Sequence, residues 1–532
     1  MKFPLKYFFL VQIVLFFILS NLLVSKLSCR TDISNSVRFE FSKSTENRIQ
    51  DLQSPLFIDA YFSSDLPPEY STRMELIQFY LGELRKLNPD FIKIKFLDPS
   101  SSPEIRKQAS EVGLIANEIQ NNVGSSKSIR EAYMGIVIRY RNESFPISDF
   151  FFVEEAEEKI MRVLRKFDQR RIGQQIGIIV DRGCLDFPVP GNGSGINTWG
   201  VFFHQVFVEE YGPPQFIALN DQEISPEIKL LLIIGSPNWS EVGKRRLDAF
   251  LASGGRLVFF ANSIKFNLKT SRDRDGLKFY GSTLAYPEQG YATWSDQFAH
   301  YGFRIEPSLL FNLNRPVLIS QSSQEIKKYY PLWHYLYKEE GNFHQNHLLT
   351  LNSNLLLVPW VSVMQIDLSF QVGMKSETIL YSDLQIMKKS NVFQLDQLNQ
   401  FSENEIIRNR IPLGVLTKGK INPYFSGTKS LVETEIFTLS SGHLISDILS
   451  LPEFRSVYKS SNVSFMLNLI DYMLGETDFI LSRNKKIVAS PLNLFSPRER
   501  IIYSSFNVIL LPFLMILLVI RYLYKRQLGK IE

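Results

Sequence analysis

Two long uncharged runs frame this chain and limit what it can be. Nineteen residues between Lys6 and Lys26, YFFLVQIVLFFILSNLLVS, and twenty between Arg500 and Arg521, IIYSSFNVILLPFLMILLVI, carry no charge. At a helical rise of about 1.5 Å per residue, each is long enough to cross a hydrocarbon core of about 30 Å. A cleaved signal peptide is the competing reading of the first run, but the apolar stretch exceeds the roughly 7 to 15 residues of such a signal and no small-x-small site follows closely. Cys29 follows Lys26-Leu27-Ser28, with a lysine where a lipoprotein site wants an aliphatic residue. Pro512 lies inside the second run and predicts a kink there. Two spans put both termini on one side of the bilayer. The tail RYLYKRQLGKIE carries four basic residues and one acidic, which assigns both termini to the cytoplasm and residues 27–500 to the exterior or periplasmic side.

At 532 residues, the chain exceeds one ordinary core, since domains run to roughly 100 to 200 residues. A net charge of +5, from 59 basic and 54 acidic residues, is nearly balanced and argues against a nucleic-acid-binding surface. Two cysteines, Cys29 and Cys184, cannot build a disulfide framework.

The exterior region reads as α/β. LFIDAYFS (56–63) is a strand; Met74, Ile77, Leu81 and Leu84 recur at helical spacing; FIKIKFLDP is a strand with one wetter face. A short helix, SPEIRKQASEVGL, the hairpin YMGIVIRYRNESFPI and a helix within 148–171 complete a βαβαββα order. That order predicts a thioredoxin-like layer over 55–171, without the Cys-x-x-Cys that redox chemistry requires. Glu154 and Glu158 in the last helix could be read as paired acid/base or metal groups, but an acidic start and a basic end are the charge order that the helix macrodipole favours, and the pair reads as a solvated face. Residues 172–480 read as a second, Rossmann-like (glutamine-amidotransferase-like) α/β domain with insertions. The flanking segments are a 27–54 linker after the first span (residues 1–26), a 481–500 juxtamembrane linker, the second span (501–520) and a basic tail (521–532).

Glycine-rich stretches raise the question of nucleotide binding. Gly254 and Gly255 in FLASGGRLVFF follow a helix and precede a strand, whereas phosphates sit where a strand feeds a helix N-terminus. The pair therefore predicts a left-handed helix C-cap. GNGSG (191–195) lies between strand and helix, but Ile196 stands where a dinucleotide fingerprint has its third glycine, and its long loop reads as surface. No phosphate-binding Gly-x-x-x-x-Gly-Lys-Ser/Thr, Gly-x-Ser-x-Gly or His-Glu-x-x-His occurs. Cys184 with His204 stays open as a nucleophile and base, because the fold decides their proximity. His344 and His347, with Glu339 or Glu340, stay open as metal ligands; His300, His334 and His443 are isolated. Residues 262–450 give weaker signals: strands at NLLLVPWVSVMQI, SETILYSD and IPLGVLTKG, polar loops at 311–352 and 383–410, and a strand, turn and return in ETEIFTLSSGHLISDIL. SNVSFMLNLIDYMLGE (461–476) is an amphipathic helix with Gly475 near its C-cap.

In order along the chain, the first span, FLDPSSSPEIRKQASEVGL, GIVIRYRNESFPI, IKLLLIIGSPNWSEVGKRRLDAFLASGGRLVFFANS, QFAHYGFRIEPSLL, PLGVLTKGKINPYFSGT, NVSFMLNLIDYMLGETDFILSRNKK and the second span resemble the GldG family of ABC-transporter auxiliary proteins. The resemblance covers nearly the whole chain. It implies a bilayer-embedded, gliding-motility-associated type of subunit, working with a separate ABC permease and a cytoplasmic ABC ATPase, without implying gliding itself. It brings no catalytic, cofactor or metal residues. Two other classes remain: a membrane-tethered amidotransferase-like or hydrolytic enzyme using Cys184 or a serine, and an envelope scaffold or adhesion protein needing no ATPase.

Overall fold

The computed structural model describes residues 41–480, except for short internal segments, together with Arg521. The chain divides into two compact units, 41–485 and a second made of 1–40 with 486–532; the described elements belong to the first. The apolar runs at 7–25 and 501–520 lie outside the described residues, and among those described no helix is long and apolar enough to cross a membrane.

The N-terminal layer starts with a helix in the segment read as a linker, α1 (Lys43–Gln50), capped by the Ser42 side chain. There follow β1 (Leu56–Phe62), α2 (Pro68–Leu87), β2 (Ile92–Leu97), α3 (Pro103–Glu111), the hairpin β3 (Asn117–Val123) and β4 (Ser126–Ala132), β5 (Met134–Tyr140), β6 (Glu143–Ile147), α4 (Val153–Lys166) and the short α5 (Gln169–Gln174). The main sheet has the order β2-β1-β5-β6, with β2 parallel to β1 and the remaining pairs antiparallel. Ile77, Leu81 and Leu84 of α2 are buried, as their spacing requires. On α4 the buried stripe is Ala156, Ile160, Val163 and Leu164, while Glu158 bridges to Arg162 at 2.6 Å. Two charged residues of that helix, Glu157 and Arg165, are nevertheless buried.

The second sheet is built on β7 (Ile176–Ile179), β8 (Gln215–Ile217), β9 (Leu230–Gly235) and β10 (Arg256–Ala261), joined by β11 (Met374–Tyr381), β12 (Pro412–Gly419) and β13 (Thr434–Leu439). Its order is β11-β12-β13-β10-β9-β7-β8. The five strands β8, β7, β9, β10 and β13 are parallel, whereas β12 and β11 are antiparallel additions. The parallel strands read as unbroken apolar runs because both faces are covered. Leu230, Leu232 and Ile234 of β9 join one core with α6, which comprises Gly200–Phe202, a π-helical turn Phe203–Phe207 and Val208–Tyr211, and with α9 (Val463–Leu474). Leu231 and Ile233 join the opposite core with α7 (Glu241–Ala252) and α8 (Ser295–His300). Gly254 has φ +92°, and the amides of Gly254 and Gly255 bond the carbonyls of Leu251 and Phe250, so the glycine pair is a helix C-cap as expected.

Three expectations are corrected. The supposed loop 311–352 contains strands Pro316–Ser320 and Lys327–Tyr337, which form a three-stranded antiparallel sheet with Leu355–Pro359. The tertiary fold buries Tyr330, Leu332, Trp333 and Leu336, which the surrounding lysines and glutamates conceal in the sequence. Within 383–410, strands Ile386–Lys389 and Ile406–Ile407 pair with each other. After β13 there is no returning strand; the Ser440 amide still donates to the Leu413 carbonyl of β12, but beyond it the chain makes a buried polar turn, in which the Asn262 and Ser441 side chains accept from the Gly442 and His443 amides, followed by a 3-10 helix, Asp447–Ser450.

Candidate functional site

Open parallel sheets bind ligands beyond the carboxyl ends of their strands, where the strand order reverses. Here the chain order of the parallel strands is 2-1-3-4-5, so the reversal falls between β7 and β9. Asp181, two residues beyond β7, is buried there. Its Oδ2 accepts from the Leu219 amide at 2.8 Å and Trp239 Nε1 at 3.1 Å, and its Oδ1 from the Asn220 amide at 3.4 Å. These bonds tie together the segments that follow β7, β8 and β9.

The crevice itself holds the chain's own backbone. Arg182 to Leu185 run along the end of β9: the Ser236 amide donates to the Gly183 carbonyl at 2.9 Å, Asn238 to Arg182 at 2.8 Å and Leu185 to Ile234 at 2.8 Å. Gly183 has φ +98°, and a Cβ there would lie 2.1 Å from the Ser236 carbonyl oxygen. Only glycine permits this approach. Cys184, partly exposed, sits in this plug. Desolvation and the carboxylates of Asp181 and Asp186 push its thiol well above the ordinary range, the opposite of what a nucleophile needs. His204 bonds the Phe187 carbonyl at 3.0 Å.

The other amide cradle at this edge is also filled. Helix α6 follows the GNGSG segment, of which 191–194 lie outside the described residues. At its N-terminus, the Asp447 carboxyl accepts from Gly200 N at 3.1 Å, Val201 N at 2.8 Å and Thr198 Oγ1 at 2.6 Å. Burial raises the Asp447 pKa against these bonds. The amides a phosphate would use are thus bonded to an internal acid from a segment about 250 residues away in sequence.

Beside it lies a buried polar cluster. The Gly442 amide donates to Asn262 Oδ1 at 2.9 Å, the Ser441 hydroxyl to the Pro359 carbonyl at 2.5 Å, and His443 Nε2 lies 3.2 Å from Asn197 Oδ1. The His443 ring is fully buried against Trp360 and Phe266, with centroids at 4.9 and 5.1 Å. Burial drives its pKa down to about 3. Its Nδ1 and the Ser440 hydroxyl have no protein partner among the described residues.

The proposed metal pair does not gather its glutamates. His344 Nε2 lies 3.1 Å from Glu377 of β11, while Glu340 pairs with Arg315 at 3.2 Å. His344 and His347 each accept a nearby amide at Nδ1, and their rings are 6.1 Å apart. Burial lowers the His347 pKa. Among the described residues no three His, Cys, Asp or Glu side chains form a metal-binding group. His334 bonds the Leu310 carbonyl and His300 that of Asn422. Two open grooves lie elsewhere: one of about 460 Å³ at Phe57, Arg139 and Arg141, and one of about 390 Å³ at Glu306, Lys388 and Arg410.

Asp181, Gly183 and Asp447 were not singled out by sequence reasoning. Asp181 and Gly183 carry a faint signal, an acid and a glycine straight after a β run. Asp447 carries none, since its partners are remote in sequence.

No solved structure matches the chain. A domain of unknown function matches residues 35–139. An uncharacterized protein of Borreliella burgdorferi (strain ATCC 35210) is 20% identical over 528 residues, covering 97% of this chain and 96% of that one. The family described as an ABC-type uncharacterized transport system, an auxiliary family, matches residues 174–469, which take in the whole seven-stranded sheet. The chain belongs to this ABC-type transport-system auxiliary family.

Proposed function

We propose that the chain is a membrane-anchored, GldG-like auxiliary subunit of an ABC transporter, without ATPase activity of its own, that works with a separate permease and a cytoplasmic ATPase. The family match over 174–469 carries the reading. In it, residues 7–25 and 501–520 span the cytoplasmic membrane, both termini are cytoplasmic, and the 41–485 unit faces the exterior, where it engages substrate or partner. The β2-β1-β5-β6 order supports a thioredoxin-like first layer. The 2-1-3-4-5 parallel order supports a Rossmann-like, glutamine-amidotransferase-like second one. Self-filling of the crevice by Arg182 to Leu185, and of the α6 N-terminus by Asp447, supports binding or force transmission over catalysis.

The test is a mild-detergent pull-down of the tagged protein from its native membrane, read by mass spectrometry. A P-loop ATPase and a polytopic permease are expected to co-purify, and to be lost when 501–520 is replaced by an unrelated span. A preparation containing neither overturns the proposal.

A further inference from the structure

Both ends of the described chain are fastened to one helix. At the incoming end, the buried Glu157 of α4 accepts three hydrogen bonds at Oε1: from the Ser42 amide at 2.9 Å, the Ser42 hydroxyl at 2.6 Å and the Thr45 hydroxyl at 2.7 Å. Eight residues further along α4, about 12 Å by helical rise, Arg165 forms a fully buried, two-pronged ion pair with Asp471 of α9. Tyr211 of α6 donates to the same carboxylate at 2.9 Å. Burial disfavours the Arg165 charge, but Asp471, Tyr211 and Glu210 together outweigh it and the guanidinium pKa rises.

Phe479 links the two points. Arg165 lies 4.4 Å from its ring centroid and Arg48, on α1, 5.5 Å. The first helix of the unit and its last described residues therefore meet across one aromatic ring. Helix α4 also grips α6 beneath the seven-stranded sheet through Lys166–Glu209 at 3.3 Å and Arg162–Glu210 at 3.5 Å.

A buried ion pair is a poor source of stability, because desolvation offsets most of its attraction and an apolar pair of equal volume does as well. Its directional bonds instead hold two elements in one register. We infer that α4 is the joint of the 41–485 unit: Glu157 and Arg165 clasp the incoming and outgoing segments, so that displacement of one is passed to the other and to both sheets. The inference rests on the fold within 41–480 and holds whether or not the transporter reading does.

Coupling between two sites is reciprocal, which supplies the test. In the full-length protein in lipid nanodiscs, backbone hydrogen exchange is followed by mass spectrometry in 43–50 and 471–480, with β9 and β10 as the reference for an intact fold. Asp471→Asn is expected to speed exchange at least tenfold in both segments, and Glu157→Gln likewise in both. Tyr211→Phe, a milder change that removes one hydrogen bond to Asp471 and keeps the ring, is expected to do the same if either charge variant loses protection in β9 and β10. Acceleration confined to the segment that carries or contacts the substitution, with β9 and β10 protected, overturns the joint.

Discussion

His443 couples stability to pH. Its folded pKa, about 3, lies below the roughly 6.5 of an unfolded histidine. The unfolded chain therefore binds more protons between these values, and stability is full above about pH 6.5 and falls as the pH drops toward 3. The loss is on the order of a few kcal/mol by the linkage relation. His334, buried and likewise lowered by desolvation, acts in the same direction. Urea denaturation between pH 7 and 4 is expected to show His443→Phe losing stability less steeply than the parent, with a residual slope from His334, His347 and lowered carboxylates such as Asp98 and Asp296. An unchanged slope contradicts the assignment. Cys184 is a different case: a free thiol pushed upward in pKa reacts slowly, so its presence in a crevice does not make it a nucleophile.

Among the elements, the Arg182 to Leu185 plug and the sheet edges show how backbone chemistry is kept in check. Gly183→Ala puts a Cβ against the Ser236 carbonyl at a left-handed φ; this is expected to destabilise the unit by at least about 2 kcal/mol. Ala at Gly82, where an added Cβ meets nothing within 4 Å, is expected to be neutral or slightly stabilising in the same denaturation assay. The exposed edge strand β2 carries Lys93 and Lys95, and the opposite edge β6 carries Pro146, devices that discourage pairing with another chain. Such elements were legible in the sequence where the local pattern was plain: α2 stands out by its helical spacing, and β9 and β10 as unbroken apolar runs. Lys327–Tyr337 did not, because its aromatic run is flanked by charges and its burial depends on Leu355–Pro359 and Phe454.

For the whole molecule, the proposed arrangement fixes which parts meet the outside of the cell. With Cys29 and Cys184 replaced by serine, a membrane-impermeant thiol reagent applied to intact cells, with the outer layers permeabilised where present, is expected to label a cysteine at the exposed Ser110 and not one at Lys530. Labelling at Lys530 alone reverses the topology, and labelling at both or at neither removes the two-span reading. Tertiary structure adds what this outline lacks: the two α/β layers share a compact unit, and α4 ties the first to α6 and α9 of the second.

The sequence by itself determined the two apolar runs, the α/β class and the C-cap at Gly254, because each depends on residues close together in the chain, and the order of its segments carried the family likeness. Only the tertiary structure decided that the crevice at the strand reversal is filled, that Asp447 occupies the α6 N-terminus and that Glu157 and Arg165 are buried clasps rather than solvated charges. Each of those rests on partners about 50 residues or more distant in sequence. Burial and hydrogen bonding are properties of what surrounds a side chain, and the surroundings are assembled only when the sheets and helices pack.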